Sequence, residues 1–282
     1  MNKTQLIVSI LLFTLSFLVF KVFELRRDFL AEVQAGFAQP AIANPEILTE
    51  RDIAGLPLPI QRYLRHTGAV GREKVYNFRL VGEGEFKTGV DKTWVKATAE
   101  QYNFIDQPRR VYWMRLSLSG LPVVGLHVYK DATATMRIKL AGLITVGDAR
   151  GEIMNQSETV TVFNDMCLMA PATLIDPRIS WESIDNWTVR GTFNNDGVIV
   201  SAILSFNEKG ELVNFVSNDR SMTTSGSDYQ NVPWSTPVRD YMDFNGIRIA
   251  SYGEAHWDLP EGDFCYGKIR LKSVEYNLPE TR

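Results

Sequence analysis

The chain has little cysteine, little histidine and no concentrated positive charge, and each shortage removes a class of function. Its 282 residues include two cysteines, Cys167 and Cys265, and no Cys-x-x-Cys pair. Two are too few for a disulfide scaffold. They fit either one bridge in an oxidising compartment or two buried free thiols acting as small hydrophobes. The 30 basic and 33 acidic residues leave a net charge of −3, and Lys/Arg never run beyond a dipeptide. That lacks the electrostatic footprint of a nucleic-acid binder. Also missing are a nucleophile elbow, a phosphate loop and an HExxH pair. No cofactor is implied.

What is present points to a packed, β-rich fold. Hydrophobic residues make up 45% and charged residues 22% of the chain, which suits a large core rather than disorder. The 15 Phe, 10 Tyr and 6 Trp favour strands and a large apolar interior.

The N-terminus reads "MNKTQLIVSILLFTLSFLVFKVFELRRDF", with no charge between Thr4 and Phe20. Lys21 can snorkel while Val22 and Phe23 extend the run. The apolar stretch reaches about 17–20 residues, near the lower limit for a spanning helix. A cleaved signal peptide needs small residues soon after its core, but Lys21, Glu24, Arg26, Arg27 and Asp28 follow instead. The expectation is an uncleaved single-pass anchor in a bacterial cytoplasmic membrane. Lys/Arg flank both ends, so the positive-inside rule is nearly balanced. An extracytoplasmic domain is preferred because a signal-anchor before a β-rich domain is a common export design. Residues 1–37 form the anchor and a juxtamembrane helix, whose Phe29, Leu30, Val33 and Phe37 share one stripe. That stripe suits either the membrane surface or the domain. Residues 38–48, with two prolines, are a linker, and 49–282 a single globular domain.

In "LPLPIQRYLRHTG" (56–68), Pro59 opens a short helix and Gly68 stops it. Ile60, Tyr63, Leu64 and Thr67 share a face, and the expected role is to dock the tether onto the sheet. From Val75 the period shortens, and "VYNFRLV", "GEGEFK", "TWVKATAEQYNFI", "RVYWMRLSLSG", "VVGLHVYK" and "TATMRIKLAG" read as strands. A helix capped at Ser157 and ending near Ala170 interrupts them. Strands resume at "WTVRGTF", with hairpin turns at Asp196-Gly197, Lys209-Gly210 and Asn245-Gly246. The fold class is α+β, mainly antiparallel β. It is a curved meander sheet or half-open barrel with a covering helix, preceded by an N-terminal transmembrane helix.

Three sets of residues carry candidate chemistry. Glu254, His256 and Asp258 alternate in "EAHWD" and project from one strand face. They could bind a divalent metal or do acid–base work. Yet alternate Cβ atoms lie about 6.5–7 Å apart and wrap one ion poorly, so a solvated polar face is the plainer reading. Glu83 and Glu85 would serve a hydrolase only within a substrate cleft; an exposed strand explains them as well. Tyr102, Trp113, Phe163, Met166 and Met169 belong to adaptable aromatic and methionine-rich segments that could hold an acyl chain, or fill an ordinary core. His66 and His127 stand alone. Asp219-Arg220 and Arg239-Asp240 read as ion pairs at strand ends.

Four stretches together resemble a known family: "LPLPIQRYLRHTG", "MCLMAPATLIDPRISWESID", "ILSFNEKGELVNFVSNDR" and "PWSTPVRDYMDFNGIRIASYGEAHWDLPEGDFCYGKIRLKSVEYN". They look like a group of uncharacterised bacterial proteins, a domain of unknown function found behind an N-terminal membrane segment. The resemblance runs from Leu56 to Asn277 and supplies no catalytic residues. The closing strand order is also similar to the half-open β-barrels of envelope lipoprotein carriers and sensors, an analogy of fold. The resulting expectation is a membrane-anchored, non-catalytic domain binding a lipid or other hydrophobic ligand. An envelope interaction module with a solid core, or an enzyme using Glu254, His256 and Asp258, are the alternatives. Its protein partners are unspecified.

Overall fold

The computed structural model describes residues 20–38, 46–223 and 228–281, together with Gln5, Ser9, Leu12 and Phe13. Among these, no helix is long and apolar enough to cross a membrane. The expected spanning segment and most of the expected linker lie outside the described residues.

Helix α1 (Glu24–Phe37) carries an apolar stripe and buries Leu25, Phe29 and Val33. Two short helices follow. α2 (Glu50–Ile53) begins with a Thr49/Asp52 capping box. α3 (Leu58–His66) has Pro57 at its N-cap and Pro59 in its first turn. Ile60, Tyr63, Leu64 and Thr67 are all buried, as their spacing predicts. Gly68 takes φ +71°, the left-handed turn that ends the helix. The buried residues of α3 belong to the main core, separate from the cluster that Leu25, Phe29 and Val33 join.

A first meander comprises β1 (Asn77–Phe86), β2 (Val95–Phe104), β3 (Arg109–Leu118), β4 (Leu121–Lys130), β5 (Thr133–Leu140) and β6 (Ile144–Arg150). Helix α4 (Glu152–Met169) and a 3-10 turn (Pro171–Ile175) lead to the second meander. That comprises β7 (Ile179–Ser183), β8 (Thr188–Asn195), β9 (Val198–Phe206) and β10 (Leu212–Ser217). The chain closes with β11 (Ser221–Met222), β12 (Gln230–Asn231), β13 (Trp234–Ser235), β14 (Val238–Phe244), β15 (Ile247–Leu259) and β16 (Gly262–Tyr276). Asp196-Gly197 and Asn245-Gly246 both have positive φ at each residue, the backbone a tight two-residue hairpin needs.

The order across the main sheet is β6-β5-β4-β3-β2-β1-β16-β15-β13-β10-β9-β8-β7, with β14 also paired to β15. All its pairings are antiparallel. The two edges, β6 and β7, are consecutive in sequence, and α4 spans between them. α4 packs on β4, β5 and β6 along one flank, on β9 and β10 along another, and on β15. The sheet therefore curls into a half-barrel around the helix.

Besides the two-residue strands β11, β12 and β13, two strand assignments and one helix start differ from the sequence reading. β6 and β7 are strands, although neither shows clean alternation; as edges they lie mostly exposed. α4 starts at Glu152, not after Ser157. Gly151, at φ +102°, turns the chain out of β6 directly into the helix. Ser157 lies inside the helix, and its Oγ accepts the Ser221 N–H at 3.1 Å. At the other end, Tyr63 and Tyr276 hydroxyls donate to the Cys167 and Met169 carbonyls at 2.9 and 2.6 Å. These satisfy carbonyls that a helix terminus leaves orphaned. α3 thus docks under the C-terminal end of α4, with the 3-10 turn and β8 as neighbours.

α1 lies on β3 and β4, on the convex side of the sheet. Its stripe meets Tyr102, Val111, Trp113, Leu126 and Val128. Fully burying an apolar side chain of this size contributes about 1.5–3 kcal/mol, so Leu25, Phe29 and Val33 fix the helix to the domain. Ion pairs rim the contact: Glu24–Lys139 at 2.7 Å, Asp28–Arg137 at 2.8 Å and Glu32–Lys130 at 2.7 Å. Of the two surfaces the sequence left open to this stripe, it occupies the protein one.

Candidate functional site

The site follows from strand parity. Residues opposite one another in an antiparallel pair point to the same face. Leu80 faces Gln101, Gln101 faces Tyr112, Tyr112 faces His127, and His127 faces Met136. This row points into the half-barrel. The neighbouring row, with Tyr102, Val111 and Trp113, points outward beneath α1. Gln101 and Asn103 on β2 and Arg110 on β3 therefore point inward with Tyr112, while Glu100, Tyr102, Val111 and Trp113 point outward.

Between this wall and α4 lies a cavity of about 400 Å³. Most of its lining is apolar: Leu80, Ala99, Met114, Met136, Ile138, Met154, Leu168, Met169, Trp234, Trp257, Phe264 and Ile269. α4 adds a polar stripe of Ser157, Glu158, Thr161, Asn164 and Asp165. These recur at helical spacing on the cavity side.

An ionic network occupies the base of the stripe. Arg110 Nε donates to Asp165 at 2.7 Å, its Nη1 to Glu158 at 3.2 Å and its Nη2 to Gln101 at 3.0 Å. Gln101 in turn donates to Asp165 and to Asn103, both at 2.6 Å. Burial would raise the Glu158 carboxyl, but the Arg110 and Arg220 guanidiniums beside it hold it below its ordinary value. Burial opposes charge on Arg110 too, and the two carboxylates overcome it.

Three further polar groups face the space above the network. Burial pushes His127 down to about 4 against the pull of Glu158, so its imidazole is neutral at pH 7. Its Nδ1 lies 4.0 Å from Glu158. Burial pushes the Tyr112 hydroxyl up to about 12. Arg220 donates from Nε to Thr161 at 3.1 Å and lies 3.6 Å from Glu158. Its guanidinium lies over the adjacent rings of Trp234 and Trp257, 4.6 and 5.2 Å from their centroids.

The residues expected to hold an acyl chain separate. Met169 lines the cavity. Phe163 and Met166 are buried in the main core, Phe163 among Trp181, Phe193 and Phe215. Tyr102 and Trp113 sit in the outer cluster under α1, because their parity on β2 and β3 is the outward one. Sequence reasoning missed Gln101, Arg110, Glu158, Asp165 and Arg220. The polar stripe within an otherwise apolar helix was the available signal for Glu158 and Asp165.

Glu254, His256 and Asp258 do not form one group. His256 Nε2 meets Glu254 at 3.0 Å and Nδ1 meets Asp263 at 2.8 Å. Burial would raise Glu254, but hydrogen bonds from Tyr252, His256 and Arg239 hold it below its ordinary value. Glu254, His256 and Cys265 offer donor atoms within 4.8 Å of one another and could hold a metal ion. Asp258 is exposed and stays outside this set. A β16 neighbour, across the strand pair, replaces the next alternate residue on β15. Glu83 pairs with Lys272 on the convex face, and with Glu85 lines an open depression rather than a cleft. Cys167 and Cys265 are both free thiols, which removes the bridged alternative.

Comparison with known proteins adds a family and a few distant structures. A family model described as a family of unknown function (DUF6544) matches residues 46–269. No curated protein matches the sequence. Among solved structures, the chain is similar to a presumed outer membrane lipoprotein-sorting protein domain from Vibrio parahaemolyticus. The identity is 7% and the TM-score 0.40, covering 71% of this chain and 85% of that one. A DUF1329 family protein from Desulfovibrio piger matches at 10% identity and TM-score 0.38, over 84% of this chain and 96% of that one. A LolA superfamily protein from Nitrosomonas europaea matches at 10% identity and TM-score 0.36, over 77% and 93%.

Proposed function

This chain belongs to the DUF6544 family, whose function is unknown, so its role is argued from its own interior: we propose that it binds a lipid or other hydrophobic ligand in the half-barrel, without catalysis. The observation that carries this reading is the cavity of about 400 Å³ between α4 and the inner wall. That volume falls within the roughly 300–1,000 Å³ of small-molecule sites, which pair mostly apolar walls with a few placed polar groups. Met114, Met136, Met154 and Met169 give the walls side chains that adapt to a flexible ligand. An interior with this much space is harder to reconcile with a solid-core interaction module.

The reading includes a membrane anchor at the N-terminus and an extracytoplasmic domain. Besides the apolar run before Lys21, the surface next to it supports this. Gly142 packs against the Val22 backbone. Beside it, Leu143, Ile144 and Val146 on and before β6 are exposed apolar residues. An apolar rim adjoining an apolar tether suits a lipid surface.

The test is native mass spectrometry of the full chain extracted from membranes in mild detergent. Wild type is expected to carry a hydrophobic adduct. Ala99→Trp, which fills the cavity from β2, is expected to lose the adduct while keeping its circular dichroism spectrum. A wild-type chain that carries no adduct and takes up no added hydrophobic ligand would sink the proposal.

A further inference from the structure

Resting on that reading of the cavity, we propose that its ligand is a single-chain amphiphile whose anionic head is held by Arg220. Arg110, Arg220, Glu158 and Asp165 cluster around α4 and share their bonds unequally. Arg110 alone bonds to both carboxylates, Asp165 at 2.7 Å and Glu158 at 3.2 Å. Asp165 is further satisfied by Gln101 at 2.6 Å. Arg220 is left with one hydrogen bond, from Nε to Thr161, and with Glu158 at 3.6 Å, beyond hydrogen-bond reach. Its Nη groups make no hydrogen bond to another described residue. A guanidinium carries five N–H donors in a planar fork suited to carboxylate or phosphate. Here the fork also rests on the neighbouring rings of Trp234 and Trp257. Its unused N–H groups line the cavity.

Two more groups converge on the same place. His127 and Arg220 flank the same Glu158 oxygen, at 4.0 and 3.6 Å. Tyr112 packs edge-on against His127, with ring centroids 5.6 Å apart, and its hydroxyl has no hydrogen-bond partner among the described residues. Tyr112 and neutral His127 can each donate to a head group without adding charge. The rest of the lining is hydrocarbon and methionine, so the ligand needs a tail. A volume of about 400 Å³ lies near the low end of ligand sites, which favours one chain over a two-chain lipid. Carboxylate and phosphate heads share the chemistry that Arg220 recognises.

Isothermal titration calorimetry on the detergent-solubilised full chain tests this, with titrations into detergent alone subtracted. The ligands are dodecanoate, dodecyl phosphate and dodecanol. Wild type is expected to bind at least one anion roughly tenfold or more tighter than the alcohol, the scale of a charge-assisted hydrogen bond. Which anion binds tighter identifies the head. Arg220→Gln is expected to weaken the anions by roughly ten- to a hundredfold and the alcohol by less than about twofold. Arg220→Lys, which keeps the charge without the planar fork, is expected to fall between and serves if the Gln variant does not fold. Equal affinity for anions and alcohol in wild type overturns the anionic head but leaves the hydrophobic site standing. So does an equal loss for all three ligands in both variants. If none of the three binds to wild type, the hydrophobic-ligand reading itself fails.

Discussion

On the flank of α4 that meets β8, β9 and β10, Phe163 stacks on Phe193 at 5.6 Å and meets Phe215 edge-on at 5.5 Å. On the flank that meets β1 to β5, the same helix presents Glu158, Thr161 and Asp165 to open space. β7 to β10 contribute no residue to the cavity lining. Apolar side chains slide and repack until the gap between helix and sheet closes. A hydrogen-bonded ionic network has fixed lengths and directions, so it holds its two walls apart. Arg110, tied to β2 through Gln101 and to α4 through Asp165 and Glu158, acts as a strut between them. The difference between the flanks is that one is closed by dispersion and the other kept open by charge.

Removing the strut has the largest expected effect. Arg110→Met leaves Glu158 and Asp165 buried without their shared cation, and should cost about 3–5 kcal/mol in denaturant unfolding. Phe163→Ala on the closed flank should cost a similar 3–5 kcal/mol, by creating a cavity instead. A neutral Arg110→Met would break the contrast between the flanks.

Between the two flanks of α4, acid should act on the open one through His127. His127 titrates near 4 when folded and near 6.5 when unfolded. Between these values the unfolded chain binds more protons, so stability falls as pH falls, by up to about 3 kcal/mol. Above pH 6.5 the group adds no slope. Glu158, whose folded value is depressed, loses its contribution only at lower pH, as the carboxylate protonates. Unfolding free energies from pH 7 to 4 should therefore slope in wild type and slope less in His127→Phe, with His66 and the depressed carboxylates supplying the remainder.

The smallest effect sharpens the comparison. Met136 faces existing space, so Met136→Ala removes few contacts and should cost about 2 kcal/mol or less, the low end for such truncations. A loss matching that of Phe163→Ala, measured in the same unfolding assay, would mean the two flanks are equally packed.

Local chemistry was legible in the sequence wherever one residue fixes its own backbone. Asp196-Gly197 and Asn245-Gly246 announced their hairpins, Pro59 and Gly68 bounded α3, and the stripe of α1 was plain. The edge strands were not legible, because β6 and β7 have no buried face to impose alternation. Which row of β2 and β3 forms the inner wall was not legible for a related reason. β2 and β3 are covered on both faces, by α4 inside and α1 outside, so alternation does not say which set points in. An arginine on such a strand reads as solvent-facing until tertiary structure supplies its carboxylates. Arg220 was beyond reach in sequence, since the rings it rests on, Trp234 and Trp257, come from two other strands.

The pairing of β1 with β16, in which Phe78 faces Tyr276, has a consequence for how the molecule is made. The first strand out of the ribosome waits for the last one. β1 to β6 can form hairpins as they emerge, and so can β7 to β10 around α4. The half-barrel stays in two pieces until β16 bridges them, and such distant pairings are slow because the intervening chain must first be ordered. During that interval β1 is an unpaired edge with apolar side chains on offer. This places the greatest risk of aggregation at the middle of the finished sheet rather than at its visible edges.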